Sequence, residues 1–133
     1  VGLAVIEEIE SRNLIEESNR KGKVLKDRLN QLKQTSNGRI SHILGEGLIA
    51  AILFKDPETG EADGLIASKI AEKCYEKGLL VVHTGRESIK IGPPLTITDE
   101  ALLEGISVIA ESFNEVIQET WTKKEMIPFR KII

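Results

Sequence analysis

Ile89-Lys90-Ile91-Gly92-Pro93-Pro94-Leu95-Thr96-Ile97-Thr98-Asp99-Glu100 joins a strand to a helix in twelve residues. Ile89-Lys90-Ile91 alternates side chains between two faces, as a short strand does. Gly92-Pro93-Pro94 ends that strand, because a proline has no N–H to give a sheet ladder. Thr98 is placed to cap the first free amides of a helix. Asp99 and Glu100 then sit where the helix dipole favours negative charge. The residues before this stretch must supply a layer for the strand to join, and those after it the helix that covers it.

Working outward, the C-terminal helix starts at Thr98 and carries an apolar stripe of Leu102, Ile106, Ile109, Phe113 and Val116. Gly105 lies inside it at a cost of roughly 1 kcal/mol relative to alanine, which suggests close packing there. Upstream, Leu79 to His83 reads as a strand, and Ile66, Ala67, Ile70, Ala71 and Cys74 recur at helical spacing. Asp63 is the expected N-cap of that helix and Gly78 its C′ residue. Leu48 to Phe54 has no polar side, which suits a strand buried on both faces or central in its sheet. Arg39 to Leu44 is a shorter strand, broken or bulged by Gly45-Glu46-Gly47. Asn13 and Glu16 fit a capping box. The helix behind them places Leu14, Leu25, Leu29 and Leu32 on one stripe, and its run of Arg20, Lys21, Lys23, Lys26, Asp27 and Arg28 reads as a solvated face. Val1 to Ile9 is helical without a capping residue. It reads as a helix entered midway, with a frayed natural terminus as the other reading.

The order helix, helix, strand, strand, helix, strand, strand, helix gives an α+β fold. Two layers are expected: a small, mostly antiparallel sheet of three to four strands, with helices packed on one face. Residues 1–120 are expected to form one domain, with 1–12 as the end of a helix from a missing upstream domain and 121–133 as a C-terminal tail.

Composition narrows the function. Of 133 residues, 41% are hydrophobic and only 4% aromatic, so the core is aliphatic and large enough for one domain. A net charge of −3 argues against nucleic acid or an anionic membrane as the partner. The longest apolar run, Leu48 to Phe54, is too short to span a bilayer, and no signal peptide is evident, so the cytoplasm is the default compartment. One cysteine, Cys74, can form no internal disulfide and falls on an apolar helical stripe. His42 and His83 have no acid or cysteine at ligand spacing, so no metal site is expected. Gly45-x-Gly47 precedes a strand, whereas a phosphate cradle needs a helix N-terminus there. In the tail, Lys123, Lys124, Arg130 and Lys131 interleave with Trp121 and Phe129. That pattern reads as a docking segment rather than a single-strand nucleic-acid platform. Lys90 stands apart as a cation inside an apolar strand, just before a double proline. It reads either as a solvent-facing edge lysine or as a point charge for a substrate carboxylate.

The chain resembles the class III aminotransferases, pyridoxal-phosphate enzymes of fold type I, in matching order from Val1 to about Gln118. Pro93-Pro94-Leu95-Thr96-Ile97-Thr98 is the most specific piece. Val1 to Glu10, Asn13-Leu14-Ile15-Glu16, Gly45-Glu46-Gly47-Leu48 and Lys77-Gly78-Leu79-Leu80-Val81 are similar to the family's segments in the same order. The resemblance implies the C-terminal small domain of an enzyme that moves an amino group between an amine or amino acid and a 2-oxo acid. Pyridoxal phosphate would serve the parent enzyme. The resemblance places the Schiff-base lysine and the cofactor-binding residues in a missing large domain. This chain alone is therefore expected to be inactive, with no catalytic or cofactor-binding residue of its own and no cofactor bound. Homodimerisation of the parent is also implied. Lys90 takes the position where the family usually has the arginine that binds the substrate carboxylate, and Leu44 stands where it commonly has an arginine before the glycine turn. The competing reading is a stand-alone, non-enzymatic α+β module for binding or dimerisation.

Overall fold

The computed structural model describes residues 1–130, with side chains for 1–120. The elements are α1 (Gly2–Ser11), α2 (Leu14–Gln34), β1 (Ile40–Glu46), β2 (Ile49–Phe54), α3 (Gly64–Glu76), β3 (Val82–His83), β4 (Ser88–Ile91) and α4 (Asp99–Arg130). The order is the one read from the sequence. The four strands form one antiparallel sheet, β1-β2-β4-β3, so β4 carries Lys90 between the hairpin and the short edge strand.

One face of the sheet is covered and the other is open. Ala50, Ile52 and Phe54 of β2 and Ile89 of β4 are buried under helices α2, α3 and α4. Leu25 and Leu29, Ile66 and Ile70, and Ile109 and Phe113 meet them from the helices. Each such buried aliphatic side chain contributes roughly 1.5–3 kcal/mol of transfer free energy. Phe54 stacks on Phe113 with ring centroids 6.3 Å apart. The other face shows Ile49 at 72% exposure and Leu44 at 51%. Strand β2 is therefore central but covered on one side only, in place of the burial on both faces that its apolar run suggested as one reading.

Several local expectations hold. The Asp63 carboxylate accepts from the Ile66 amide at 3.0 Å, and Thr98 Oγ1 accepts from the Ala101 amide at 3.2 Å. Gly78 has φ +84°, and the Leu79 amide turns back to the Cys74 carbonyl at 2.8 Å, which closes α3.

Others need correction. Asn13 holds the N-cap position of α2, its carbonyl accepting the Glu17 amide at 3.1 Å, but its φ is +50° and its side chain makes no cap bond, so the capping box does not form. Its amide donates to the Glu10 carbonyl at 3.1 Å, so it is also the left-handed residue that ends α1. Strand β1 runs through Gly45 and Glu46 to a tight turn at Gly47-Leu48, and its irregularity lies between Ile40 and His42. Only Val82 and His83 of the Leu79–His83 run join the ladder, because Leu79 is taken up by the α3 cap. Gly105 is not tightly packed, since a Cβ there would sit 3.6 Å from Leu79 Cδ1, an ordinary contact. The backbone of α4 continues to Arg130, and the docking role read for Trp121, Phe129 and the nearby cations lies outside the described side chains. No described helix is long and apolar enough to cross a membrane.

Candidate functional site

The alternation of β4 decides where Lys90 goes. Ile89 is fully buried among the helices, so Lys90, one residue on, emerges on the open face. Its cross-strand partners are Ala51 in β2 and Val82 in β3, and Ala51 in turn faces Leu44 in β1. The row Leu44–Ala51–Lys90–Val82 is thus one exposed ammonium in an otherwise apolar stripe. Among the described residues, ion pairs between helical segments lie elsewhere, joining α2 to α4 and the α3 end to α4. A cation on this surface can hold one anionic group as a point charge, without the two-pronged geometry of arginine.

Lys90 also borders a cavity of about 300 Å³ between the β3–β4 edge and α4, with Pro93, Pro94, Ile97, Leu102 and Ile106 in its wall. The Gly92–Thr98 loop forms one side of it. That loop closes on itself through the Ile97 amide and the Pro94 carbonyl at 3.0 Å, while its two prolines bring no N–H.

Two cations on α2 hold the end of this loop, and the sequence reading placed both on a solvated face. Arg20 is half exposed and pairs with Glu17 at 2.9 Å and Asp99 at 2.8 Å. Its guanidinium keeps both carboxyls below their ordinary pKa values. Lys21 is not solvated: it is 7% exposed, and Nζ donates to the Ile97 carbonyl at 2.6 Å. The signal was present in the spacing. Lys21 falls seven residues after Leu14 and four before Leu25, on the buried stripe itself. Gly22 lies on the same stripe, and there α2 crosses the β1–β2 turn so closely that a Cβ would meet the Gly47 carbonyl oxygen at 2.3 Å.

The other titratable groups have structural surroundings. Cys74 is fully buried, and burial pushes its thiol up from its ordinary pKa. His83 Nε2 lies 3.4 Å from Ser68 Oγ and 3.2 Å from the Arg86 carbonyl. His42 sits across from Leu53 in the hairpin. Among the described residues no group of histidines, cysteines or acids is placed to hold a metal ion. Pyridoxal phosphate needs an amine, an anion cradle and a partner for the ring nitrogen. Among the described residues Lys90 is the one charged side chain in the wall of its cavity, so these residues do not fit that cofactor by themselves.

Comparison with known proteins fits this geometry. The family described as aminotransferase class III matches residues 1–113, from α1 into the first half of α4. A leucine/methionine racemase of Thermococcus litoralis is 36% identical over 86% of this chain and 26% of its own length. A mitochondrial acetylornithine aminotransferase of Candida glabrata is 32% identical over 86% of this chain and 25% of its own. The crystal structure of an acetylornithine aminotransferase from Elizabethkingia anophelis superposes with a TM-score of 0.76 at 26% identity, over 86% of this chain and 27% of that one. The chain spans about a quarter of the length of these relatives. With the order of elements, the Pro93–Thr98 loop and the family match all covering the same residues, the chain belongs to the class III aminotransferase family.

Proposed function

We propose that this chain is the C-terminal small domain of a pyridoxal-phosphate enzyme that transfers an amino group between an amine or amino acid and a 2-oxo acid. The observation that carries the reading is the family match over residues 1–113 together with the exposure of Lys90 on the uncovered sheet face. Lys90 takes the substrate carboxylate. The cofactor, when bound, is the electron sink of the reaction, and a large domain supplies the lysine that carries it. That domain covers the apolar open face, where Ile49, Leu44 and Val82 are exposed, and packs on α1, which buries no residue and leaves Leu3, Val5 and Ile6 in solvent. The parent acts as a homodimer in the cytoplasm, and the 133-residue chain alone does not transaminate.

One relative favours a second reaction on the same surface. The Thermococcus litoralis protein is named as a racemase of leucine and methionine, both apolar amino acids, and the row around Lys90 is apolar. Racemisation of an apolar amino acid would use the same carboxylate contact.

The test uses the full-length protein. A yellow, borohydride-sensitive chromophore and transfer from an amino acid to a 2-oxo acid support the first reading. Loss of optical rotation from L-leucine without an acceptor supports the second. Under either, Lys90→Ala should raise KM for the carboxylate substrate. One charge-assisted contact of roughly 1.5–3 kcal/mol corresponds to about 10- to 150-fold. An unchanged KM removes Lys90 from carboxylate binding. A full-length product of this chain's mass with no chromophore would leave a stand-alone module.

A further inference from the structure

The loop that follows Lys90 separates two hollows. Pro93, Pro94 and Ile97 wall the cavity that Lys90 borders. Leu95 and Thr96, at the tip of the same loop, wall an open apolar hollow beneath α1, against Val5, Ile9 and Leu14. The loop ends at the Ile97 carbonyl, one residue before the Thr98 cap of α4.

That carbonyl is held from 76 residues away by Lys21 Nζ at 2.6 Å. The Glu17 carboxylate lies 3.6 Å from the same ammonium. Arg20, the neighbour of Lys21, fixes Asp99 on the far side of the cap at 2.8 Å. Burying an ammonium is unfavourable unless its protons find acceptors. Here the acceptor is a backbone oxygen of a loop in which two prolines lack an N–H to donate. An aliphatic side chain at position 21 would continue the stripe of Leu14, Leu25 and Leu29, yet it could not hold that oxygen.

We propose that Lys21 is a positioning residue for anion recognition: its buried ammonium holds the Ile97 carbonyl, fixes the Gly92–Thr98 loop, and thereby sets the end of β4 from which Lys90 projects. This rests on the reading of Lys90 as the carboxylate-binding residue. Lys21 itself touches no substrate.

The experiment compares Lys21→Met, Lys21→Arg, Lys90→Ala and the Lys21→Met/Lys90→Ala double variant in the full-length protein. The amino donors are 4-aminobutyrate and 1-aminopropane, which is the same amine without the carboxylate. Hydrogen exchange is followed at the amides of residues 95–99. Lys21→Met is expected to speed exchange at these amides and to raise KM for 4-aminobutyrate about tenfold, with kcat within about twofold. Lys21→Arg should restore both in part. In the Lys90→Ala background Lys21→Met should add little, because both act through one contact.

Unchanged exchange at residues 95–99 in Lys21→Met overturns the proposal whatever the kinetics. So does an equal loss for 1-aminopropane, or full additivity in the double variant. Should Lys21→Met not fold, Lys21→Leu, which also lacks a donor and continues the apolar stripe, takes its place with the same criteria. If Lys90→Ala leaves KM unchanged while Lys21→Met loosens the loop, the Lys90 reading has failed, and the functional role of Lys21 falls with it.

Discussion

Two glycines interrupt long helices in this protein, and alanine at the two sites should have opposite effects. Gly22 lies in α2 where the helix crosses the β1–β2 turn. A Cβ there would sit 2.3 Å from the Gly47 oxygen, 2.5 Å from its carbonyl carbon and 2.6 Å from its Cα. Ordinary contacts between carbon atoms are about 3.5–4.0 Å, so the overlap is about 1 Å. The obstructing atoms are backbone, and no rotamer change relieves them. Gly47 cannot readily yield, because its φ is +55° and a Ser18 hydroxyl accepts the next amide, that of Leu48, at 3.3 Å. Helix α2 would have to lift, opening the contacts of Leu25 and Leu29, which are 1% and 0% exposed.

Overpacking of this kind costs roughly 1–3 kcal/mol or more, against a gain of about 1 kcal/mol from better helix propensity. At Gly105 the added methyl finds Leu79 Cδ1 at 3.6 Å and open space otherwise, so only the gain remains. Gly22→Ala should therefore destabilise by roughly 2 kcal/mol at the upper end of that range and Gly105→Ala stabilise by about 1 kcal/mol. Urea unfolding followed by far-UV circular dichroism measures both. With a slope of roughly 2 kcal/mol/M, the two midpoints should differ by about 1.5 M. A Gly22→Ala midpoint at or above that of the parent chain would refute the claim that the close approach of α2 to the turn is what keeps glycine there.

Removing the cap in Asp63→Ala should cost about 1 kcal/mol in the same unfolding assay, since the Ile66 amide loses its acceptor. The α2–α4 ion pair predicts an acid limb. Asp99 and Glu17 are held by Arg20 below their ordinary values of 3.8 and 4.5. Their contribution is present above those values and is lost as pH falls through the lower folded-state values. Arg20→Gln should flatten the midpoint-versus-pH curve in that window, and added salt should shrink the effect, because the pair is exposed. Together with the KM change for Lys90→Ala and the loop exchange in Lys21→Met, these outcomes separate contacts that hold the fold from those that shape the site.

Periodicity and turn chemistry are local properties, and what depends on them was legible in the chain itself. The stripes of α2, α3 and α4, the Asp63 and Thr98 caps, Gly78 and the order of the elements all follow from residues within a few positions of one another. The exposure of Lys90 follows from the alternation of β4 once one face of the sheet is known to be covered. Which face that is, and that β2 is covered on one side only, depends on where three helices pack, and an unbroken apolar run is silent on it. Asn13 carries a capping signature and takes the N-cap position, but its backbone there is left-handed and its side chain makes no cap bond, which the local pattern does not show. Lys21 shows the limit most plainly. Its place on the stripe is written seven residues from Leu14, but its acceptor lies 76 residues away, and only the folded chain brings that carbonyl within 2.6 Å.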